Sequence, residues 1–555
     1  MKDKPARESR PALRRRLLQP IAVAALSAIG GTGVMAMELD TGNPDLKVRL
    51  DNTIRYSGAY RLGDRSSGLA ATVPGAVPGT FVGTNNINQD DGDNNFNRGV
   101  VSSRIDVLSE LDLSYRNLGA RLSGAAWYDQ VYNRNTDNTS TSANHLPGRE
   151  FAPETRKVMG RKAELLDAFV FGKFELGETP ATFRLGRHTL LWGESLFFGA
   201  NGIAGGMAPI DIIKAQSVPN SQFKEIGRPT GKLSGQVQLS SDVALGAYIG
   251  YEWEKSRLPA SGSYLSTIDP GGPGGETLRA GPNTVRRASD LDARSGGQGG
   301  VQLRWRLDSV DTDLGFYAIR FHALTPSNLN FSAPPTVAGS NYRFLYQEGI
   351  KAYGVSAAKT IGDWSLATEA SYRQNAPLAS SSQVSPGFAF NNSNNPGYAV
   401  GETAHWQASW LASLGPSFIA NEASFVGEIA WNKRVKVTRN AQMLNPEADK
   451  SATGMRMVYS PTYRQVLPGL DLTPSIGLGY TWGKSSALGA GFGVDKGGDL
   501  NIGLAGVYLG RWNVNLNYVH FLGPEGGANN NAGNAQFKQA LKDRNFISLS
   551  LRTTF

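Results

Sequence analysis

The sequence predicts an outer-membrane β-barrel of about eighteen antiparallel strands, within a range of 16–18, and three observations predict it. Apolar and polar residues alternate over long stretches, short and long connections alternate between those stretches, and the chain ends in an alternating stretch that closes on Phe555. Successive side chains of a strand point to opposite faces, so each stretch has one apolar and one polar face. Because every backbone group must be paired in hydrocarbon, only helices and closed barrels span it.

The N-terminus has the layout of a secretory signal peptide. Residues 1–16 carry seven Lys and Arg against two acidic residues, and the apolar run LLQPIAVAALSAIG and small residues ending at Ala36 follow. We predict cleavage after Ala36, so that residues 1–36 are a removed leader and residues 37–555 form a single barrel domain. The run is short for a membrane anchor, which needs about 20 apolar residues. The chain has no Cys for a disulfide, a thiolate metal site or a lipid.

The alternation begins in the stretch LKVRLDNTIRYSGAYRL, residues 46–62. Its even positions are almost all apolar, and its odd positions carry five charges. The apolar face suits lipid, and the ionic face suits a lumen that contains water. The same pattern recurs at 100–115, 118–128, 243–253, 301–308, 404–414, 470–482 and 512–518.

The connections between these stretches are alternately short and long. Short connections lie near 116–117, 177–180, 240–242, 308–313, 361–363, 415–422, 466–469 and 509–511. Long polar connections lie near 63–98, 133–161, 255–298, 323–348, 375–402, 433–450, 484–498 and 522–543. Short turns on one side and long loops on the other are typical of outer-membrane barrels. A large soluble β-sandwich is the alternative, but its strands are about 5–6 residues long, whereas many of these are much longer.

The C-terminal stretch FISLSLRTTF is both the predicted last strand and a candidate assembly signal. A terminal strand that alternates up to a final Phe is what the barrel-assembly machinery typically recognises. The alternative is an ordinary last strand that happens to end in Phe. The residues of the candidate signal share one face and are Ile547, Leu549, Leu551, Thr553 and Phe555.

Residues 189–233 break the alternation. They are too apolar for a free surface loop and too rich in glycine for a strand. We predict that they fold back into the lumen as a plug or constriction, because irregular backbone is tolerated at membrane depth when protein or water surrounds it. A folded extracellular cap is the alternative. The candidate plug residues, with the end of the preceding strand, are Arg184, Arg187, His188, Trp192, Glu194, Phe197, Phe198, Asp211, Lys214, Lys224, Glu225 and Arg228.

No arrangement of residues indicates catalysis, so we predict no catalytic residue, cofactor or metal site and no enzyme. The His residues lack metal-ligand spacing, and the chain has neither a P-loop nor a Gly-x-Ser-x-Gly motif. The stretch Asp91-Gly-Asp93-Asn-Asn95 resembles the start of a calcium loop, but Phe96 and Ser102 stand where that loop requires Gly and Glu. We interpret it as a solvated loop, with weak calcium binding as a minor alternative. The basic excess lies mainly in the leader and does not indicate nucleic-acid binding.

Several stretches of the chain resemble a known family. They are NNFNRGVVSSRIDVLSELDLSYRNLGARLSGAAWYD, LLDAFVFGKFEL, FRLGRHTLLWGESLFFGANGIAGGMAPIDIIKAQSVPNSQFKEIGRP, GAYIGYEWEKSRLPASGSYLS and the C-terminal KDRNFISLSLRTTF. Over essentially all of its mature length, the chain is similar to the proteobacterial outer-membrane family catalogued as domain of unknown function 1302. The resemblance implies an outer-membrane barrel of a Gram-negative bacterium. Members are often encoded beside an outer-membrane lipoprotein and an inner-membrane permease of the resistance-nodulation-division kind, which implies transport of hydrophobic or amphipathic compounds.

Two functions are the main hypotheses. The first is a channel or transporter for a hydrophobic or amphipathic solute that residues 189–233 gate. Its expected partners are outer-membrane lipids and lipopolysaccharide, the barrel-assembly machinery, and the lipoprotein and permease that the resemblance implies. The second is a general diffusion porin, since inward charges of both signs, which we expect mainly to pair across strands, predict a hydrated lumen. An outer-membrane enzyme, which would need a Ser–His pair on neighbouring strands, and an adhesive role are further alternatives.

Overall fold

The computed structural model describes residues 37–70, 86–530 and 532–555. Within these ranges, eighteen antiparallel strands form a barrel, and the first strand pairs with the last from Thr53↔Thr554 to Arg61↔Phe546. The pairing closes the sheet, so the predicted fold class and the count of about eighteen strands are confirmed. The predicted leader, residues 1–36, and its cleavage site at Ala36 lie outside the described residues.

We number the barrel strands β1–β18, and each pairs with its neighbours in chain order. The strands are β1 (Leu46–Arg61), β2 (Gly99–Tyr115), β3 (Leu118–Asp129), β4 (Arg161–Leu176), β5 (Thr179–His188), β6 (Thr230–Gln238), β7 (Val243–Gly250), β8 (Gln298–Leu307), β9 (Thr312–Phe321), β10 (Ile350–Ile361), β11 (Trp364–Pro377), β12 (Val400–Leu414), β13 (Glu422–Arg439), β14 (Ser451–Leu467), β15 (Leu470–Trp482), β16 (Gly497–Tyr508), β17 (Trp512–Leu522) and β18 (Phe546–Thr554). A short strand, Met37–Leu39, pairs with Val48–Leu50 of β1.

The first strand shows how the alternation shapes the wall. Ile54, Tyr56 and Tyr60 are exposed on the outer face, whereas Arg55 and Arg61 are fully buried on the inner face. Membrane-embedded β-barrels have an apolar band on the outside and a polar interior. The two faces of β1 therefore have the environments that its sequence predicts.

The long connections carry secondary structure of their own. Within the described loops, short strands form a second, five-stranded sheet: Thr277–Ala280, Asn283–Arg287, Asn328–Phe331, Asn341–Leu345 and Gln383–Val384. Short helical turns in the connections are Asn86–Asn88, Asp91–Asn94, Val131–Asn133, Pro153–Thr155, Arg156–Gly160, Ile203–Gly206, Ile212–Ser217, Phe223–Ile226, Asp308–Val310, Pro386–Phe388, Ala441–Met443 and Gly489–Gly491. In the part of the chain that the structure describes, no helix is long and apolar enough to cross a membrane.

The loop with the calcium-like stretch is not solvated, and that interpretation is wrong. Asp90, Asp91 and Asp93 are each at most 5% exposed. Burial and the neighbouring charge of Asp90 raise the pKa of Asp91 to about 7. The reason is tertiary: the loop packs against two other long loops, through contacts of Asp91 with Asn144 and Asp269.

The last strand presents most of the candidate assembly signal on the outer surface. Ile547, Leu549, Leu551 and Phe555 are 38–47% exposed, whereas Thr553 is only 9% exposed and is not part of that surface. The backbone of Phe555 pairs with Asn52 through two hydrogen bonds of 2.8 and 2.9 Å. The aromatic ring of Phe555 is therefore held at the end of the barrel but contributes to its outer face.

We predict that Phe555→Ala lowers the amount of folded barrel in the outer membrane severalfold, because the terminal ring is part of the candidate assembly signal. Folded protein would be measured in membrane fractions as the band that shifts on heating before electrophoresis. Phe418→Ala is the matched control, because Phe418 is 99% exposed. Equal folded yields from both variants would show that the C-terminal Phe is not read during assembly.

Candidate functional site

The segment between β5 and β6 leaves the wall at His188 and rejoins it at Thr230, and we call residues 189–229 the lumen segment. The predicted end at residue 233 is wrong by four residues. Thr230 to Leu233 already pair with β5, from His188↔Thr230 to Leu185↔Leu233. Leu233 is 46% exposed on the outer face, so its apolar side chain is that of a wall residue.

One side of the lumen segment is held by two carboxylates that project from the wall. Glu428 of β13 accepts hydrogen bonds from the backbone N–H groups of Leu196, Phe197 and Phe198, and the last of these is 2.7 Å long. Glu369 of β11 accepts two more backbone bonds, from the residues at 194 and 203, at 2.8 and 2.7 Å. Both side chains are almost fully buried. Such charge-assisted bonds are about twice as strong as neutral ones.

A cationic side chain holds the next turn of the lumen segment. Arg373 of β11 donates from Nη2 to the three successive carbonyl oxygens of residues 200–202, at 2.8–3.0 Å. The buried side chain of Asn201 then contacts β12, where His405 Nδ1 lies 3.1 Å from Asn201 Oδ1. Its amide also donates to the Trp406 carbonyl at 3.1 Å. Backbone donors and acceptors of residues 194–203 are thus matched by opposite groups on β11–β13.

The other side of the lumen segment is held by ion pairs to a different part of the wall. Two of the pairs reach the wall, Glu225 with Arg55 of β1 at 3.0 Å and Lys224 with Glu110 of β2, and a third joins Asp211 to Arg257 of the loop after β7 at 2.6 Å. The buried ammonium group of Lys214 lies 4.6 Å from the ring centre of Trp127 on β3. In a barrel of eighteen strands, β1–β3 lie about nine strands from β11–β13, which is the opposite wall. The lumen segment therefore crosses the lumen.

Apolar contacts fill the space between these polar anchors. Trp192 of the lumen segment is 5% exposed and packs edge-on against Tyr248 of β7, with ring centres 5.1 Å apart. Ile203 and Met207 join the same buried cluster. Phe198 packs on Phe492 of the loop after β15, with ring centres 5.5 Å apart. The apolar residues that make this segment unsuitable as a free surface loop are therefore buried or half-buried inside the barrel.

The remaining candidate residues lie at the wall end of the segment. Arg187 donates to the carbonyl of Pro229 at 3.1 Å and pairs with Glu254 at 3.1 Å. Arg228 pairs with the other oxygen of the same glutamate. Glu194 lies 3.5 Å from Arg304 of β8. Arg184 instead contacts the wall, where its guanidinium carbon lies 5.8 Å from the ring centre of Phe169.

His188 forms the kind of Ser–His pair that the enzyme alternative requires. Its Nε2 lies 2.8 Å from Ser234 Oγ on the adjacent strand, and its Nδ1 faces the carbonyl of Gly186 at 3.1 Å. The imidazole is 1% exposed and the serine 7%. A buried hydroxyl leaves no access for a substrate, so this geometry fits a histidine that is satisfied within the wall. We therefore assign no catalytic role to the pair.

A cavity of about 1090 Å³ borders the lumen segment where Arg228 meets the long loops. Three aromatic residues contribute to its lining: Trp253, Phe344 and Tyr346. Charged residues of both signs also line it, including the paired Lys255 and Asp292, whose charged atoms are 2.9 Å apart, and neutral residues, most of them small, line the rest. The cavity thus offers aromatic and ionic surface side by side.

Comparison with known proteins identifies the family. The family described as "Protein of unknown function (DUF1302)" matches residues 19–555, which is nearly the whole chain. The chain belongs to this family. The resemblance found in the sequence is confirmed, and the lumen segment lies within the matched range. No curated protein matches this DUF1302 chain significantly.

Solved structures with distant similarity to this DUF1302 barrel include two from Acinetobacter baumannii and one from Pseudomonas aeruginosa. OccAB3 is 8% identical with a TM-score of 0.43, covering 92% of this chain and 99% of its own. OccAB1 is 10% identical with a TM-score of 0.42, covering 91% and 96%. OpdK with vanillate is 11% identical with a TM-score of 0.40, covering 92% and 98%. These sequence identities and TM-scores are too low to support an inference about function.

Proposed function

We propose that this chain is a channel in the outer membrane of a Gram-negative bacterium, and that it passes a hydrophobic or amphipathic small solute under the control of the lumen segment. The apolar outer face and closed backbone pairing support a place in lipid. The crossing of the lumen by residues 189–229 carries the proposal. A barrel of this strand number has a wide lumen unless something fills it, and this segment fills it between opposite walls.

The lining of the loop-side cavity supports the solute class. A pocket for a small molecule is largely apolar, with a few polar groups that orient the ligand. Trp253, Phe344 and Tyr346 would contact an apolar part, and the ionic residues beside them would orient a polar group. The proposed partners are outer-membrane lipids and lipopolysaccharide, the barrel-assembly machinery, and the lipoprotein and permease that the family resemblance implies.

Single-channel recording in a planar bilayer tests the proposal. The variant would replace residues 190–228 with a short Gly-Ser turn, which can join β5 to β6 because His188 and Thr230 are already paired. We expect the native chain to stay closed or open briefly, and the deletion to give large, steady openings. Proteoliposomes would then compare the entry of an amphipathic aromatic carboxylate with that of a neutral sugar of similar size.

A general diffusion porin is the second candidate, and the inward charges of both signs favour it. It predicts large, steady openings from the native chain and entry of the sugar as readily as of the aromatic carboxylate. Deletion of the lumen segment would then change conductance little. Steady native openings together with an unchanged deletion variant would overturn the proposal of a controlled channel.

A further inference from the structure

Three carboxylates from two separate loops converge on one buried point away from the lumen segment. One oxygen from each of Asp90, Asp91 and Asp269 lies within 4.8 Å of the other two. The three residues are at most 5% exposed. Oxygen ligands at 2.3–2.6 Å from a calcium ion are at most about 5 Å apart, so this spacing fits a shared ion. Three like charges in a buried place otherwise repel one another strongly.

Two further buried oxygens at this point have no hydrogen-bond partner among the described residues. Asn144 donates from its backbone N–H to Asp91 and from its Nδ2 to Asp269, at 2.9 and 3.0 Å, while its Oδ1 is unpartnered. The hydroxyl of Ser266 is also unpartnered, and Ser266 is 1% exposed. It stands 2.4 Å from where a Cβ on Gly92 would lie, so only glycine fits there.

Unpaired buried polar atoms are rare in native proteins and require an explanation. Asn144 is 8% exposed and contacts two of the carboxylates, Asp91 through its backbone N–H and Asp269 through its side-chain amide, so its unpartnered Oδ1 lies beside the same cluster. An amide oxygen can accept a hydrogen bond or bind a cation, and an ionised carboxylate can supply neither a proton nor a positive charge to it. A cation among these oxygens would give the amide oxygen a partner and offset the negative charge of the carboxylates.

We propose that Asp90, Asp91, Asp269 and Asn144 bind a divalent cation of the calcium type. Calcium takes six to eight oxygen ligands in flexible geometry, which suits carboxylates and an amide carbonyl carried by irregular loops. Magnesium requires near-ideal octahedral geometry and keeps several waters, which suits this enclosed site less well. The ligands come from the loops that follow β1, β3 and β7, so the ion joins three long loops on one side of the barrel. This site is independent of the proposed transport function.

Equilibrium dialysis of the folded protein tests the proposal. The full chain would be refolded in detergent without lipopolysaccharide, treated with a chelator and dialysed against calcium chloride at pH 7.5. We expect one saturable calcium ion per chain, with magnesium competing weakly. Asp91→Asn with Asp269→Asn should abolish this binding. Asp64→Asn is the matched control, because Asp64 is an exposed aspartate of the same loop, and it should bind as the native chain does.

A single substitution keeps the test decisive if the double variant does not fold, as judged by its heat-shifted mobility. Asn144→Ala removes the neutral ligand and keeps all three carboxylates, and it should weaken calcium binding about tenfold because affinity follows the ligand set. Calcium should also slow tryptic cleavage of the three loops in the native chain and not in the double variant. Absence of saturable calcium binding by the native chain, or unchanged affinity in Asn144→Ala, would overturn the site.

Discussion

Glu428→Ala should raise the open probability of the channel about a hundredfold. The substitution removes the acceptor of three backbone N–H groups of the lumen segment, at a position that is fully buried. A buried group that loses its partner costs about 1–3 kcal/mol, so the three together cost at least about 3 kcal/mol. A free-energy change of about 1.4 kcal/mol changes an equilibrium constant about tenfold. The equilibrium between the closed arrangement and an open one that hydrates these N–H groups therefore shifts about a hundredfold toward the open one. Single-channel recording in a planar bilayer measures this directly.

Glu422→Ala is the matched control for that experiment. It is the same change on the same strand, but the carboxylate of Glu422 pairs with Arg464 at the short-turn end and is largely exposed. It should leave the open probability at the native value. If Glu428→Ala also behaves as the native chain, while remaining folded by its heat-shifted mobility, residues 196–198 do not control conduction.

The second large effect is expected at the opposite wall. Glu225→Met should raise the open probability about a hundredfold, because it leaves Arg55 without its nearest carboxylate while that guanidinium is 1% exposed. Breaking a buried ion pair by removing one partner costs about 3–5 kcal/mol. Asp106 lies 3.7 Å from Arg55 and retains part of the attraction, so we expect the low end of that range. The same bilayer recording checks it.

A double-mutant cycle separates this ion pair from a general loss of packing. Arg55→Met combined with Glu225→Met removes both charges, and replacement of a whole buried pair by apolar groups costs far less than loss of one partner. The double variant should therefore open less often than Glu225→Met alone. Additive effects of the two changes would show that Arg55 and Glu225 are not coupled across the lumen. Glu178→Gln, at an exposed residue of a short turn, controls for the loss of a negative charge.

Local pattern determined the wall of this protein. Alternation such as that around Arg55 and Tyr56 has a period of two, and in lipid that period leaves one solution, a closed sheet with its apolar face outward. The lumen segment was also visible, because an apolar stretch that contains Trp192 and many glycines fits neither a strand nor a free loop. The sequence places the C-terminal end of the lumen segment four residues too late, because no turn signal separates Thr230 to Leu233 from the irregular stretch before them. Only their pairing with β5 shows that β6 begins at Thr230.

Tertiary structure decided which partner each inward charge takes. Cross-strand pairing would match Glu428 with Arg456, its register partner. The structure instead pairs Arg456 with Asp499, and Glu428 binds the lumen segment. The alternation along β11 and β13 places Glu369, Arg373 and Glu428 on the inward face. No local signal distinguishes a carboxylate that pairs within the wall from one that binds a segment over 160 residues away in the chain.

The same division applies to the loops. The sequence shows Asp90 and Asp91 in a long polar connection, where solvent exposure is the ordinary expectation. Their burial depends on contacts with Asn144 and Asp269, which stand more than 50 and 170 residues farther along the chain. Sequence by itself thus determined the features that repeat at short range, which are the strands and their two faces. The contacts that fill the lumen and join the loops arise only when the closed barrel brings distant residues together, so only the tertiary structure decided them.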